Sequence, residues 1–83
     1  MAILKQVPLE QLKVLQSIHE KLDNEKYRQL KKNNPALIKK LFSYEGAANL
    51  LTQLGWQENK LVFLWNKPPS KEIQDCIALQ ILN

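Results

Sequence analysis

The chain is poor in the residues that reactive chemistry draws on. It holds one cysteine, Cys76, and one histidine, His19. A lone thiol cannot close an internal disulfide, which points to a reducing compartment. No base stands at a readable spacing from Cys76, so it reads as a buried packing thiol and not a nucleophile. His19 has no cysteine or second histidine at ligand spacing, and a metal site normally needs three or four such ligands. It reads as a partly exposed surface residue. Gly46 and Gly55 are the only glycines, too few for a phosphate-cradling loop. Acidic pairs such as Glu20/Asp23 fall at predicted helix ends, as caps and surface charge. The longest apolar run, Leu61-Val62-Phe63-Leu64-Trp65, is far below the ~20 residues that cross a bilayer. The start, Met1-Ala2-Ile3-Leu4-Lys5, lacks the apolar core and small-residue cleavage site of a secretory signal. The expectation is a module with no enzyme chemistry, no metal or other cofactor, no small-molecule substrate and no membrane partner. Its expected place is the cytoplasm, and the nucleus is open to it as well.

What is present is enough for one small domain over residues 1–83. A hydrophobic content of 45% is ordinary for a globular chain. The net charge of +4 is unevenly spread: residues 21–40 hold seven cations against Asp23 and Glu25, a local excess of +5. Such a region draws acidic partners and speeds their encounter. A solvated lysine-rich face is the plain alternative.

The apolar spacing of Leu12, Leu15, Ile18 and Leu22 predicts a helix over residues 8–22, with Pro8 at its first position. Asp23 or Asn24 caps a second helix running to about residue 32, with Tyr27 and Leu30 inward. Asn33-Asn34-Pro35 ends that helix and starts another over residues 35–42, in which Asn34 is the cap and Pro35 the first residue; Leu37, Ile38 and Leu41 face in. A fourth helix begins near residues 43–45, carries Ala47, Leu50, Leu51 and Leu54, and stops at Gly55 in the left-handed conformation. Residues 56–65 read as a short hairpin. Two strands alone are marginal, so a third is expected from residues 41–44. Ser70 caps a last helix with Ile73, Cys76, Ile77 and Ile81 inward. The fold class is therefore α+β: a small bundle of about five helices with a two- or three-stranded antiparallel sheet before the last helix. No long apolar stripe is left over, so a monomer is expected.

On a helix, Tyr27, Lys31 and Asn34 would share one face. A ring, a cation and an amide side by side suit an acidic peptide with an aromatic or apolar anchor. A basic helix could also enter a nucleic-acid groove. Asp23 and Glu25 at its N-terminal end, and the lack of stacking aromatics beside cations on a sheet, weigh against that.

The run Asn24-Glu25-Lys26-Tyr27-Arg28, followed by Asn33-Asn34-Pro35, Glu45-Gly46-Ala47, Leu54-Gly55-Trp56-Gln57-Glu58 and Leu61-Val62-Phe63-Leu64, resembles the PUB (or PUG) domain over roughly residues 7–82. That family occurs in cytosolic peptide:N-glycanase, in UBX-containing adaptors and in the catalytic subunit of the linear-ubiquitin ligase. The resemblance implies a receptor for the acidic C-terminal tail of the valosin-containing AAA ATPase, serving ubiquitin-linked and ER-associated degradation. A docking domain for an internal aromatic motif of another ubiquitin-pathway protein is the nearest alternative. A nucleic-acid or acidic-surface binder is the alternative of a different class. Carried over position by position, the implied peptide-binding residues are Lys26, Tyr27, Arg28, Lys31, Asn34, Pro35, Gly55 and Trp56. Trp56 stands where the family commonly has phenylalanine, and the hairpin connection Glu58-Asn59-Lys60 is short.

Overall fold

The computed structural model describes residues 2–82. A 3-10 turn, Ala2–Gln6, leads into helix α1, Leu9–Glu20. A second 3-10 turn, Glu25–Tyr27, leads into strand β1, Gln29–Lys31. Helix α2, Pro35–Lys40, and helix α3, Ala47–Leu54, follow. Strands β2, Gln57–Glu58, and β3, Val62–Leu64, come next, and helix α4, Lys71–Leu82, closes the described chain. The fold is α+β, with four α-helices among the described residues and a three-stranded antiparallel sheet in the order β1-β3-β2.

The helices form where apolar periodicity and end signals coincide. On α1, Leu12, Leu15 and His19 are buried on one stripe, and α1 packs chiefly against α4. Ser70 accepts a bond from the Ile73 N–H at 3.3 Å, which caps α4 as expected. Gly55 stops α3 at φ 116°, a left-handed conformation that costs glycine little and other residues more. A β-carbon there would also lie 3.0 Å from the Lys67 ammonium and 3.4 Å from the Trp65 ring. The core gathers Leu4, Leu15, Leu22, Leu41, Leu50, Leu51, Phe63 and Ile77, all almost solvent-free. Among the described residues no helix is long and apolar enough to cross a membrane.

The structure corrects the expected five helices to four by replacing one of them. The segment expected to be helical to residue 32 is helical only as the 3-10 turn Glu25–Tyr27, and then becomes β1. Asn24 does cap, accepting from the Lys26 N–H at 3.1 Å, but the helix it starts does not propagate. The reason is tertiary. The single apolar residue Leu30 fits either period, and pairing opposite Phe63 buries it while supplying ladder bonds. The third strand is therefore residues 29–31, not 41–44, and only β2 and β3 lie directly before the last helix.

Three burial expectations also change. Tyr27, expected inward, is 45% exposed, and Ile38 is 48% exposed on the outer side of α2. His19, expected near the surface, is fully buried. It stands four residues after Leu15 and three before Leu22, which places it on the apolar stripe. Cys76 is half-buried against the core.

Candidate functional site

A groove of about 350 Å³ runs between α1, the second 3-10 turn, β1 and the start of α2. Its apolar floor comes from Ile18, Leu30, Ala36 and Leu37. Leu30 is buried, and Ile18 and Leu37 are half-buried against the core, so the floor is fixed by packing and does not need a ligand to form. Lys21, Lys26, Tyr27 and Asn34 stand around it, with Ser17 and Gln29. Among the described residues no carboxylate lines the groove, although eight acidic residues occur in the chain. The volume is at the small end for ligand sites, which run from about 300 to 1,000 Å³, and suits one or two side chains of a peptide.

Asn34 has a defined orientation. Its side-chain oxygen accepts from the Ala36 N–H at 2.9 Å and from the Leu37 N–H at 3.3 Å, which caps α2. Pro35 occupies the first helical position, where its missing N–H loses nothing. With its oxygen committed to the cap, Asn34 offers the groove its amide N–H groups, which can only donate. It can therefore recognise a carbonyl or carboxylate and has little to offer a donor. Tyr27 presents a half-open ring with the Lys21 ammonium 5.3 Å from its centroid, a cation–π arrangement that keeps the aromatic face next to positive charge.

The structure thus brings Lys26, Tyr27 and Asn34 together, but not on a helix face. The 3-10 turn supplies the first two, and the cap of α2 supplies the third. The other implied residues sit elsewhere. Arg28 turns back, its Nε donating to the Leu22 carbonyl at 2.6 Å, and so ties the entry of β1 to the end of α1. Lys31 is exposed on β1 beside the groove, and Pro35 is exposed at the start of α2; neither lines it. Gly55 and Trp56 line a separate hollow with Thr52, Gln57, Asn66 and Lys67.

Most of Trp56 belongs to the core. Only 2% of it is exposed, and its indole N–H donates to His19 Nε2 at 3.2 Å. His19 also meets Trp65 edge to face, with ring centroids 5.2 Å apart. Because Nε2 accepts, the imidazole proton sits on Nδ1, which is buried and has no partner among the described residues. Burial lowers the His19 pKa from 6.5 to about 4, so the ring is neutral at physiological pH. Among the described residues no cluster of His, Cys, Asp and Glu could hold a metal ion.

Sequence reasoning missed Ser17, Ile18, Lys21, Ala36 and Leu37 as groove residues. A signal was available for part of this set. Ser17 on α1 and Lys21 at its C-terminal cap are four apart, flank Ile18 at the edge of the apolar stripe, and so mark where the stripe meets solvent. Nothing local to the sequence places that edge opposite Asn34.

A family model described as PUB domain matches residues 11–79, a span that contains every groove residue, all three strands and most of α4. No curated protein is similar enough to this chain to count as a match. The motif positions that carried the resemblance and a family match over most of the sequence lead to one statement: the chain belongs to the PUB domain family.

Proposed function

We propose that this domain is a peptide-docking module whose groove takes an acidic peptide with an aromatic or large apolar anchor, and that its partner is the C-terminal tail of the valosin-containing AAA ATPase. One observation carries the reading: the groove combines an apolar floor with Lys21, Lys26 and the donor amide of Asn34, and among the described residues no carboxylate lines it. The anchor side chain loses water against Ile18, Leu30 and Leu37, beside the Tyr27 ring. Asn34 donates to a peptide carbonyl and so sets the direction of the chain. Lys21 and Lys26 meet ligand carboxylates at the rim, where charge acts mainly on encounter rate and is screened by salt. The module binds and does not transform its ligand, and through it a parent protein is recruited to ubiquitin-linked degradation in the cytoplasm.

A groove of this size predicts micromolar affinity, about −8 kcal/mol. Calorimetric titration with a short acidic peptide ending Asp-Leu-Tyr-Gly tests the reading, alongside the same peptide with its tyrosine replaced by alanine. Micromolar binding that disappears with alanine is the expected result. A folded domain that binds neither peptide refutes it. A version extended beyond the terminal glycine reports whether the free C-terminus matters; full retention of binding moves the assignment to an internal motif of a different partner.

A further inference from the structure

We infer that the peptide docks as a fourth strand on the free edge of β1, held by main-chain bonds as well as by its anchor. This rests on the docking reading above and says how the ligand's backbone is held. Strand β1 is at one edge of the sheet. Its bonds to β3 alternate. The Trp65 N–H donates to the Arg28 carbonyl at 2.8 Å, and the Lys32 N–H donates to the Leu61 carbonyl at 2.9 Å. These two bonds flank β1, at positions four residues apart in the chain, and Leu30, paired with Phe63, lies midway. In an antiparallel ladder every second residue turns its backbone groups to the partner, and the residues between turn theirs away. Gln29 and Lys31 are the residues between.

The outward groups are accounted for one by one. The Lys31 carbonyl accepts from the Asn34 N–H at 3.2 Å. The Gln29 N–H, the Gln29 carbonyl and the Lys31 N–H have no partner among the described residues. They lie on the groove side of the strand: Gln29 and Leu30 line the groove, and no residue of β3 does. An extended ligand there can exchange two bonds with Gln29 and accept a third from Lys31. Three groups in line offer two donors and one acceptor, and the Asn34 amide adds donors near the same end. Main-chain pairing suits an acidic ligand in particular, because Lys21, Lys26 and Lys31 surround the edge and β1 itself carries no carboxylate. Short edges flanked by lysine resist pairing with other neutral strands, so the same lysines that admit an acidic strand discourage adventitious ones. Strand addition of this kind gives affinity through backbone bonds and leaves specificity to the side-chain pocket.

The test uses the Asp-Leu-Tyr-Gly peptide and a set of analogues in which each backbone nitrogen in turn is methylated, leaving every side chain in place. Methylation at the position opposite the Gln29 carbonyl is expected to weaken binding at least about tenfold, with the adjacent position nearly unaffected. In parallel, the Gln29 and Lys31 amide protons are expected to gain protection from hydrogen exchange when the unmodified peptide is added. Binding of the unmodified peptide with no alternation in the methylated set and no new protection at Gln29 overturns the strand mode and leaves the docking reading standing. Failure of the unmodified peptide to bind overturns both.

Discussion

Replacing Asn34 with aspartate separates the cap that its side chain forms from the ligand contact proposed for it. The oxygen of Asn34 holds the N–H groups of Ala36 and Leu37, and both of those residues line the groove. Asn34→Ala therefore disturbs the groove wall and removes the donor at the same time. Loss of the cap should lower stability by ~0.5–2 kcal/mol, which for a domain of this size lowers Tm by about 4–8 °C per kcal/mol. Asn34→Asp keeps an oxygen in the capping position, and aspartate caps as well as asparagine. Negative charge at a helix N-terminus adds a favourable ~0.3–1 kcal/mol. Helix α2 is only six residues long, so its first turn is most of the helix and a retained cap retains the wall. What Asn34→Asp removes is the pair of donor N–H groups. A lost neutral hydrogen bond is worth ~0.5–1.5 kcal/mol, and a carboxylate facing an acidic ligand adds repulsion to that. The expected result is a Tm equal to or above that of the native chain with affinity weakened about tenfold or more. Thermal unfolding followed by circular dichroism and calorimetric titration with the Asp-Leu-Tyr-Gly peptide give the two numbers. An Asp variant that binds as tightly as the native chain refutes the donor role of Asn34.

The cluster around His19 gives two further expectations. The folded ring titrates at about 4 and the unfolded ring near 6.5, so between these values the unfolded chain takes up a proton that the folded chain does not. Stability is therefore full above about pH 6.5 and declines as pH falls towards 4, by about 3 kcal/mol in total. Urea midpoints measured from pH 7.5 to 5 should fall in the native chain and stay much flatter in His19→Gln; equal slopes contradict this origin. Trp56→Phe leaves both nitrogens of the buried imidazole without a partner and should destabilise by ~1–3 kcal/mol. Peptide affinity below the melting range should be unchanged, because Trp56 is spent on the core and does not line the groove; weakened binding by the folded variant would make it a ligand contact.

End signals were the most legible part of the sequence. Asn34 before Pro35, Gly55 after Leu54 and Ser70 before the last helix each act locally, and each is found doing the expected job. The hairpin at residues 57–64 was legible for a similar reason, since its alternation and its turn are both short-range. The stretch from residue 25 to 31 was not. Of its two candidate caps Asn24 takes the role and Asp23 does not, but a strand of three residues has no periodicity to detect, and what makes it a strand is Phe63, more than thirty positions later in the chain. The residue type of His19 suggests surface, whereas its spacing places it among the leucines of α1, where it is buried. The groove shows the same division. Tyr27, Lys26 and Asn34 stand out in the sequence, whereas Ile18, Lys21 and Leu37 become visible only once α1, β1 and the start of α2 come together around the groove.

The pairing of β1 with β3 also bears on when the groove can exist. All the residues that line it fall between Ser17 and Leu37, the first half of the chain. Yet β1 pairs only with Val62–Leu64, so a nascent chain must be made past residue 64 before the wall formed by Gln29 and Leu30 has anything to hold it. Closing so long a loop is slow relative to forming local helices. During synthesis, α1, α2 and α3 can gain structure while the groove is still open, with Leu30 exposed and β1 unpaired on both sides. A fragment ending at Gly55 would carry every lining residue and no groove. The groove thus arrives late and all at once, when the second half of the chain closes over the first.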